Sequence, residues 1–143
     1  MKQMKDKIFL DTNIVLYALD KDGVKQQIAI NLLKSNPTIS TQVLNEFSNI
    51  CIKKLKITIE QVEKFVDVLS SDLNVKVFDV NTIFQALSLK SKYNFQYYDS
   101  LIVATALENE CNILYSEDMQ DGLVIEQRLT IINPFKKEEQ LNA

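Results

Sequence analysis

Short blocks of apolar residues alternate with mixed apolar and polar segments along the chain. Blocks rich in apolar or β-branched residues predict strands at residues 7–11, 38–40, 75–80, 112–115 and 129–132. Segments with apolar residues at helical spacing predict helices at residues 23–34, 41–55, from Thr58 onward, 82–93 and 98–110. Strands that alternate with helices indicate an α/β fold with a mostly parallel sheet that helices cover on both faces.

Two of the predicted helices carry clear positional signals. The helix that follows Thr58 shows a capping-box pattern, because Gln61 comes three residues after the threonine. The helix at residues 98–110 has almost no polar face after Asp99, since the residues that follow up to Leu107 are mostly apolar. We therefore expect this helix to be central and buried.

Acidic residues stand next to apolar runs in four segments. Asp11 ends the first predicted strand, and Asp118 lies in an acidic loop that follows the fourth. Glu46 lies at the edge of the apolar stripe of the second predicted helix, and Asp99 opens the buried helix. Taken singly, each acid has an ordinary structural explanation as a helix cap, a first-turn acid or a solvated side chain.

The four acids would form a binding site if the fold brought their side chains close together. The carboxyl ends of parallel strands lie at one edge of a sheet, where ligand sites form. Two carboxylates about 4 Å apart repel by about 4 kcal/mol at an effective dielectric constant of about 20, so such a cluster binds protons or a cation. Oxygen ligands favour Mg²⁺ or Mn²⁺, and a site with few protein ligands leaves room for a phosphate and a water.

The amino-acid composition excludes or disfavours several other catalytic mechanisms and binding sites. The 143 residues contain no histidine, which excludes a Ser-His-Asp triad, a Cys-His pair and histidine-based ribonuclease chemistry within the chain. Cys51 and Cys111 are far apart, and we expect two reduced, packed thiols rather than a disulfide or a zinc site. The formal charge of -3 provides no basic footprint for binding nucleic acid through phosphate neutralisation alone.

Length and terminal sequence bear on organisation and location. With 143 residues, 46% of them hydrophobic, the chain fits one domain at residues 1–135, followed by a polar tail at residues 136–143. The start, MKQMKDKIFL, lacks the features of a signal peptide, and no apolar segment is long enough to span a bilayer. We expect a cytoplasmic protein without membrane contacts.

The segments that carry the acids resemble those of the PIN-domain nucleases, and in particular the VapC-type ribonuclease toxins of bacterial toxin-antitoxin pairs. The matching pieces are FLDTNIVLYA, ISTQVLNEF and YYDSLIVATALENECNILYSED, in this order. The resemblance runs over most of the chain, from about Lys7 to Phe135. Each piece is weak alone, but their order and separation in a chain of this length make the resemblance specific.

The resemblance implies a three-layer α/β/α PIN-like fold and an endoribonuclease that hydrolyses RNA phosphodiester bonds with metal-activated water. Asp11 and Asp99 would be the principal ligands of Mg²⁺ or Mn²⁺, while Glu46 and Asp118 would hold a second ion or orient its waters. Products would carry a 5′-phosphate and a 3′-hydroxyl. The family also implies a homodimer and inhibition by a cognate antitoxin protein, one segment of which occupies the groove near the acids.

Further residues near the acids have expected supporting roles. The hydroxyls of Thr12 and Ser116 lie close to two of the carboxylates in sequence, and Asn13 would brace the first acid without binding the ion itself. Asp121 is expected to be a solvated loop acid. The rings that precede Asp99 are candidates for stacking on unpaired RNA bases, although core packing is expected for most of them; they are Tyr93, Phe95, Tyr97 and Tyr98.

Other functions fit parts of the same pattern. Asp11 at a strand end would suit a phosphatase that forms an aspartyl-phosphate, but Asn13 stands where the second Asp of the expected Asp-x-Asp pair belongs. A catalytically inactive PIN-like module that binds RNA or a protein is the non-enzymatic alternative. A housekeeping RNA-processing nuclease would carry the same acids.

Overall fold

The structure, a computed structural model, describes residues 5–21 and 23–136. Within these residues the strands are β1 Ile8–Leu10, β2 Thr38–Ser40, β3 Asn74–Lys76, β4 Ile113–Tyr115, β5 Val124–Ile125 and β6 Leu129–Ile132. They form one sheet in the order β3-β2-β1-β4-β6-β5. Neighbouring strands are parallel except for β5 and β6, which are antiparallel.

Helices flank this sheet and connect its parallel strands. The described residues form α1 Thr12–Tyr17, α2 Val24–Leu33, α3 Thr41–Lys53, α4 Ile59–Asp72, α5 Val80–Tyr93 and α6 Tyr97–Glu108. Helix α1 packs against α2 and α3, α3 against α4, and α5 against α6. Parallel strands need crossover connections of this kind, and the predicted α/β/α fold with a mostly parallel sheet is confirmed.

One predicted strand is shorter than expected. The β-branched run at residues 75–80 predicted a strand over its whole length, but β3 ends at Lys76 and Val80 already belongs to α5. The carboxylate of Asp79 accepts a hydrogen bond from the N–H of Thr82 at 3.3 Å, and the Thr82 hydroxyl accepts one from the N–H of Asp79 at 3.3 Å. This capping box begins the helix two residues before the predicted start.

Two other local features differ from the sequence prediction. Strand β5 was not predicted, because two residues are too few to show an alternating pattern; it joins β6 through Glu126 and Gln127, which have positive φ angles of 52° and 56°. At the start of α4, the N–H of Gln61 donates to the Thr58 hydroxyl at 3.2 Å. This bond supplies one half of the capping box predicted there.

The hydrophobic core lies around the sheet and α6. Residues 100–107 of α6 are all buried, which confirms the predicted central helix. Phe9 and Leu114 on neighbouring strands are fully buried as well. Cys51 and Cys111 are buried free thiols, as predicted. No helix in the described part of the chain is both long and apolar enough to cross a membrane.

The parallel strands bring three chain segments to one edge of the sheet. Leu10 at the end of β1 is in register with Tyr115 at the end of β4, and the N–H of Asp11 donates to the Tyr115 carbonyl at 3.0 Å. The N–H of Ser116 donates to the carbonyl of Ile132, at the end of β6, at 3.0 Å. The residues that immediately follow β1 and β4 are therefore held side by side.

The predicted division into a domain at residues 1–135 and a polar tail at residues 136–143 stays a prediction. Apart from Lys136, the tail lies outside the described residues.

The capping box of α5 leads to a stability prediction. Asp79→Ala is expected to lower the free energy of unfolding by about 1 kcal/mol, because the N–H of Thr82 at the helix start loses its side-chain acceptor. Urea unfolding measures the effect. Asp67→Ala on the exposed face of α4 is the matched control, with an expected change within about 0.5 kcal/mol. Equal losses in both variants would contradict the role of the box.

Candidate active site

Asp11 lies at the junction of β1 and α1, and its residue surface is only 5% exposed. One carboxylate oxygen accepts a hydrogen bond from the N–H of Thr12 at 2.7 Å. The other accepts one from the Ser116 hydroxyl at 2.8 Å. Asp11 is therefore the N-cap of α1, and it also ties α1 to the segment after β4.

The environment of Asp11 opposes its negative charge. Burial raises its pKa from 3.8 to about 7, although the hydrogen bonds from Ser116 and Thr12 act in the other direction. The charges of Asp99 and Glu46 make a smaller contribution to this increase in the pKa. A cation beside this carboxylate would favour the charged form, which is the form that binds metal.

Glu46 is half-buried on α3, at the predicted edge of the apolar stripe. Its two carboxylate oxygens accept hydrogen bonds from the Thr12 hydroxyl at 2.8 Å and from the Gln42 side-chain amide at 2.7 Å. The same Gln42 amide donates to the carbonyl of Tyr98 at 3.1 Å. Glu46 and Gln42 together therefore connect α3 to the starts of α1 and α6.

Asp99 is a half-buried acid in the first turn of α6. Its pKa is raised by burial, and then by the charges of Asp118 and Glu46. The partial positive charge at a helix N-terminus favours an anion at this position. The helix start thus partly offsets the unfavourable charge of the neighbouring acids.

Asp118 lies in the exposed loop after β4. It accepts a hydrogen bond from the Asn13 side-chain amide at 3.0 Å, and the Asn13 side-chain carbonyl accepts one from the N–H of Glu117 at 3.3 Å. Asn13 was predicted to brace Asp11. It braces Asp118 instead, because the first turn of α1 faces the loop after β4.

The four acids lie close enough for their charges to affect the pKa values of Asp11 and Asp99. The charges of Asp99 and Glu46 act on Asp11, and the charge of Asp118 acts on Asp99. In the part of the chain that the structure describes, no group of three or more Asp, Glu, Cys or His side chains is arranged as a ready metal-binding cluster. The carboxylates of Asp11, Glu46 and Asp118 are instead turned toward neutral donors. The donor set contains only oxygen atoms, which fits a hard divalent cation.

Asp121 stands apart from this group. Its carboxylate accepts a hydrogen bond from the N–H of Asn133 at 2.8 Å and pairs with Lys136 at 3.3 Å. The hydrogen bond from Asn133 lowers the pKa of Asp121 below its ordinary value. This acid anchors the end of the loop after β4 to the segment after β6.

The sequence matches the family model of the PIN domain over residues 8–120. The chain belongs to the PIN-domain family. The matched residues include all four acids as well as β1, β2, β3 and β4 with the helices between them. No curated protein sequence matches the chain.

Solved structures with the same fold come from bacterial toxin-antitoxin systems. A toxin-antitoxin complex from Klebsiella pneumoniae is similar with a TM-score of 0.68 and 20% identity, over 90% of this chain and 98% of that chain. VapC20 from Mycobacterium tuberculosis, a toxin that cleaves the sarcin-ricin loop, has a TM-score of 0.64 and 18% identity, over 78% and 90%. VapBC2 from Rickettsia felis, bound to a promoter DNA fragment, has a TM-score of 0.62 and 24% identity, over 88% and 97%. These likenesses show a shared fold.

Some polar contacts of this PIN domain were not predicted from sequence. Gln42 precedes Glu46 by one helical turn, a spacing that indicates a shared helix face and would have found it. Lys25 pairs with Glu117 at 2.5 Å across 92 residues of sequence. No local pattern reports a contact of that separation.

The buried Asp11 leads to a prediction on pH. Between pH 3.8 and about 7, folded protein retains a proton on Asp11 that unfolded protein has released, so its free energy of unfolding should fall as the pH rises. Asp11→Asn removes this titration and keeps a side-chain oxygen for the cap. Above that range the variant is expected to be more stable than the metal-free wild type, by up to about 4 kcal/mol.

Urea unfolding in EDTA at several pH values checks this expectation. Asp121→Asn is the control, because the pKa of Asp121 is shifted in the opposite direction. Parallel pH profiles for wild type and Asp11→Asn would contradict the account of Asp11.

Proposed function

We propose that this PIN domain is a metal-dependent endoribonuclease and the toxin of a type II toxin-antitoxin pair. The observation that carries the proposal is the electrostatic grouping of four carboxylates at the carboxyl edge of the sheet. Membership of the PIN-domain family supports nuclease chemistry. The fold shared with toxin-antitoxin proteins of Klebsiella, Mycobacterium and Rickettsia supports the toxin role.

In the proposed site, Asp11 and Asp99 are the principal ligands of Mg²⁺ or Mn²⁺. Asp11 is the most buried of the four acids, and Asp99 is favoured as an anion by the start of α6. Glu46 and Asp118 hold a second ion or orient its waters. When bound, the cation would lower the pKa of a water and offset charge on the phosphodiester.

Neutral side chains keep these acids in place. Ser116 donates to Asp11, Thr12 donates to Glu46, and Asn13 donates to Asp118. Such outer hydrogen bonds orient a carboxylate without taking its negative charge away. Thr12, Asn13 and Ser116 are therefore proposed to support the ligands without touching the ion.

The proposed reaction is hydrolysis of an RNA phosphodiester bond. Water adds to phosphorus, the bond to the 3′-oxygen breaks, and the products carry a 5′-phosphate and a 3′-hydroxyl. Because the chain has no histidine, proton transfers fall to carboxylates and water.

Tyr98 is the proposed contact for an unpaired RNA base. Its ring precedes Asp99 and is 66% exposed, whereas the neighbouring Tyr97 is half-buried and touches it edge to face at 5.5 Å between ring centroids. Core packing therefore does not explain Tyr98. An exposed aromatic ring beside a phosphate-binding site offers a platform on which a base can stack.

A cleft next to the acids is the proposed site for a cognate antitoxin. It has a volume of about 570 Å³ and runs between α1 and α3, from Asn13 past Leu16 and Leu19 to Ile50 and Leu55. Its mainly apolar lining suits a segment of a protein partner. The Klebsiella pneumoniae structure with this fold is a toxin-antitoxin complex, which supports the assignment. Both partners and the RNA substrate would meet in the cytoplasm.

The exposed face of α5 is the proposed surface for a homodimer. Val80, Phe84 and Leu87 follow one another at helical spacing and are 64%, 66% and 49% exposed. Val77, just before the helix, is 79% exposed. Contiguous exposed apolar side chains of this kind mark an interaction surface.

Cleavage of RNA tests the proposed function. Purified protein is incubated with a structured RNA pool in Mg²⁺, Mn²⁺ or EDTA, and new RNA ends are mapped. Wild type is expected to cut only with metal. Asp99→Asn is expected to abolish the cuts and keep the fold, because it removes one charge from a repelling cluster without changing the side-chain shape.

Asp121→Asn is the matched control, since Asp121 binds Asn133 and Lys136 away from the four acids. Its cleavage should equal that of wild type. Cuts that persist in Asp99→Asn would contradict the assigned site. Metal binding by the wild type without any cleavage would favour the inactive binding module.

Base stacking on Tyr98 is tested by RNA affinity. In the Asp99→Asn background, Tyr98→Ala is expected to weaken binding of single-stranded RNA about tenfold, which corresponds to the loss of one stacked base. Tyr98→Phe retains the ring and should bind as tightly as its parent. Fluorescence anisotropy gives both affinities, and equal values for the Ala and Phe variants would exclude stacking.

A further inference from the structure

Glu117 separates Ser116 from Asp118 in sequence, yet its carboxylate is turned away from the four acids. One oxygen accepts a hydrogen bond from the Tyr17 hydroxyl at 2.6 Å, and the other pairs with Lys25 at 2.5 Å. A fifth negative charge next to the site is thus compensated on the far side of the loop.

The Lys25 ammonium is held from several sides. It lies 4.9 Å from the centroid of the Tyr17 ring and 5.2 Å from that of the Phe135 ring. The two rings contact each other edge to face at 4.8 Å between centroids. The hydrogen bond to Glu117 raises the pKa of Lys25 above its ordinary value, so Lys25 stays protonated at neutral pH.

This pair differs from an ordinary surface ion pair. The side chains of Lys25 and Glu117 are 29% and 21% exposed, whereas those of Lys64 and Glu60 on α4 are 67% and 84% exposed and 3.9 Å apart. Solvent screens an exposed pair and leaves it little net effect. A partly desolvated pair with a fixed aromatic environment can hold a loop in one position.

The loop that the pair holds is the one that carries Asp118. Asn13 receives a hydrogen bond from the N–H of Glu117 and donates one to the Asp118 carboxylate, at 3.3 and 3.0 Å. Asp118 itself is exposed. Its position therefore depends on the Glu117 backbone, which the ion pair with Lys25 fixes from the other side.

We propose that Lys25 and Glu117 are positioning residues that hold Asp118 in place for a divalent cation. This inference rests on the proposed function, because it assumes that Asp118 takes part in the metal site. Lys25 acts through the chain Lys25–Glu117–Asn13–Asp118 and touches neither metal nor RNA.

Mn²⁺ binding to the RNA-free protein, measured by isothermal titration calorimetry, tests the inference. Lys25→Met is expected to weaken Mn²⁺ binding about tenfold, as the loss of a supporting contact does in other metal sites. The direction of the change in Mn²⁺ affinity distinguishes misplacement of Asp118 from a simple change in charge. Removal of a positive charge near an acidic site should by simple electrostatics tighten cation binding, and a freed Glu117 would do the same. Weaker binding is therefore expected only from misplacement of Asp118.

Three companion variants complete the experiment. Lys64→Met removes the same charge from the exposed pair on α4 and should leave Mn²⁺ affinity unchanged. Lys25→Arg retains a cation and should restore most of the affinity. In the Asp118→Asn background, Lys25→Met should have no additional effect, because the group that it positions is already altered. Thermal unfolding verifies that each variant is folded.

The outcomes separate this inference from the function on which it rests. If the wild type binds Mn²⁺ and Asp11→Asn abolishes that binding, unchanged or tighter binding by Lys25→Met overturns the positioning role alone. Additive effects of Lys25→Met and Asp118→Asn also overturn it. If the wild type does not bind Mn²⁺, both the inference and the proposed metal dependence fail.

Discussion

The buried carboxylate of Asp11 is the constraint on which the rest of the site depends. The chain places an acid where β1 ends inside the protein, and burial raises its pKa to about 7. Hydrogen bonds from Thr12 and Ser116 partly compensate the lost hydration. The same two bonds join the start of α1 to the segment after β4, so the contacts that stabilise the acid also fix the geometry of the sheet edge.

Hydrogen bonds from neutral side chains also orient the carboxylates of Glu46 and Asp118. Glu46 accepts hydrogen bonds from Thr12 and Gln42, and Asp118 accepts one from Asn13. Neutral donors stabilise a carboxylate without neutralising it, so the negative potential of the group remains. Such a potential attracts divalent cations and repels an anionic phosphodiester until a cation offsets it. The arrangement therefore favours a cation at this edge of the sheet and disfavours an anionic ligand without one.

Different layers of the fold contribute different parts of this edge. The parallel strands β1 and β4 place their carboxyl ends side by side, while α3 and α6 begin near the same edge and bring Glu46 and Asp99 to it. Outside this inner group, aromatic rings and the Lys25–Glu117 pair stabilise the loop after β4. The strand ends and the starts of α3 and α6 thus position Asp11, Glu46 and Asp99. The position of Asp118, the most exposed of the four acids, depends on contacts from α1 and α2.

The sequence alone determined the four acids as candidates and, apart from α1 and β5, the kinds of elements and their order, because spacing along a helix or strand reflects contacts within a few residues. The sequence placed the start of α5 two residues too late. The β-branched run at residues 75–80 predicted a strand where the capping box of Asp79 and Thr82 begins the helix. Only the tertiary structure decided that Asn13 contacts Asp118 and that Lys25 pairs with Glu117. These partners are 105 and 92 residues apart, and such contacts depend on how whole layers pack, which no local pattern records.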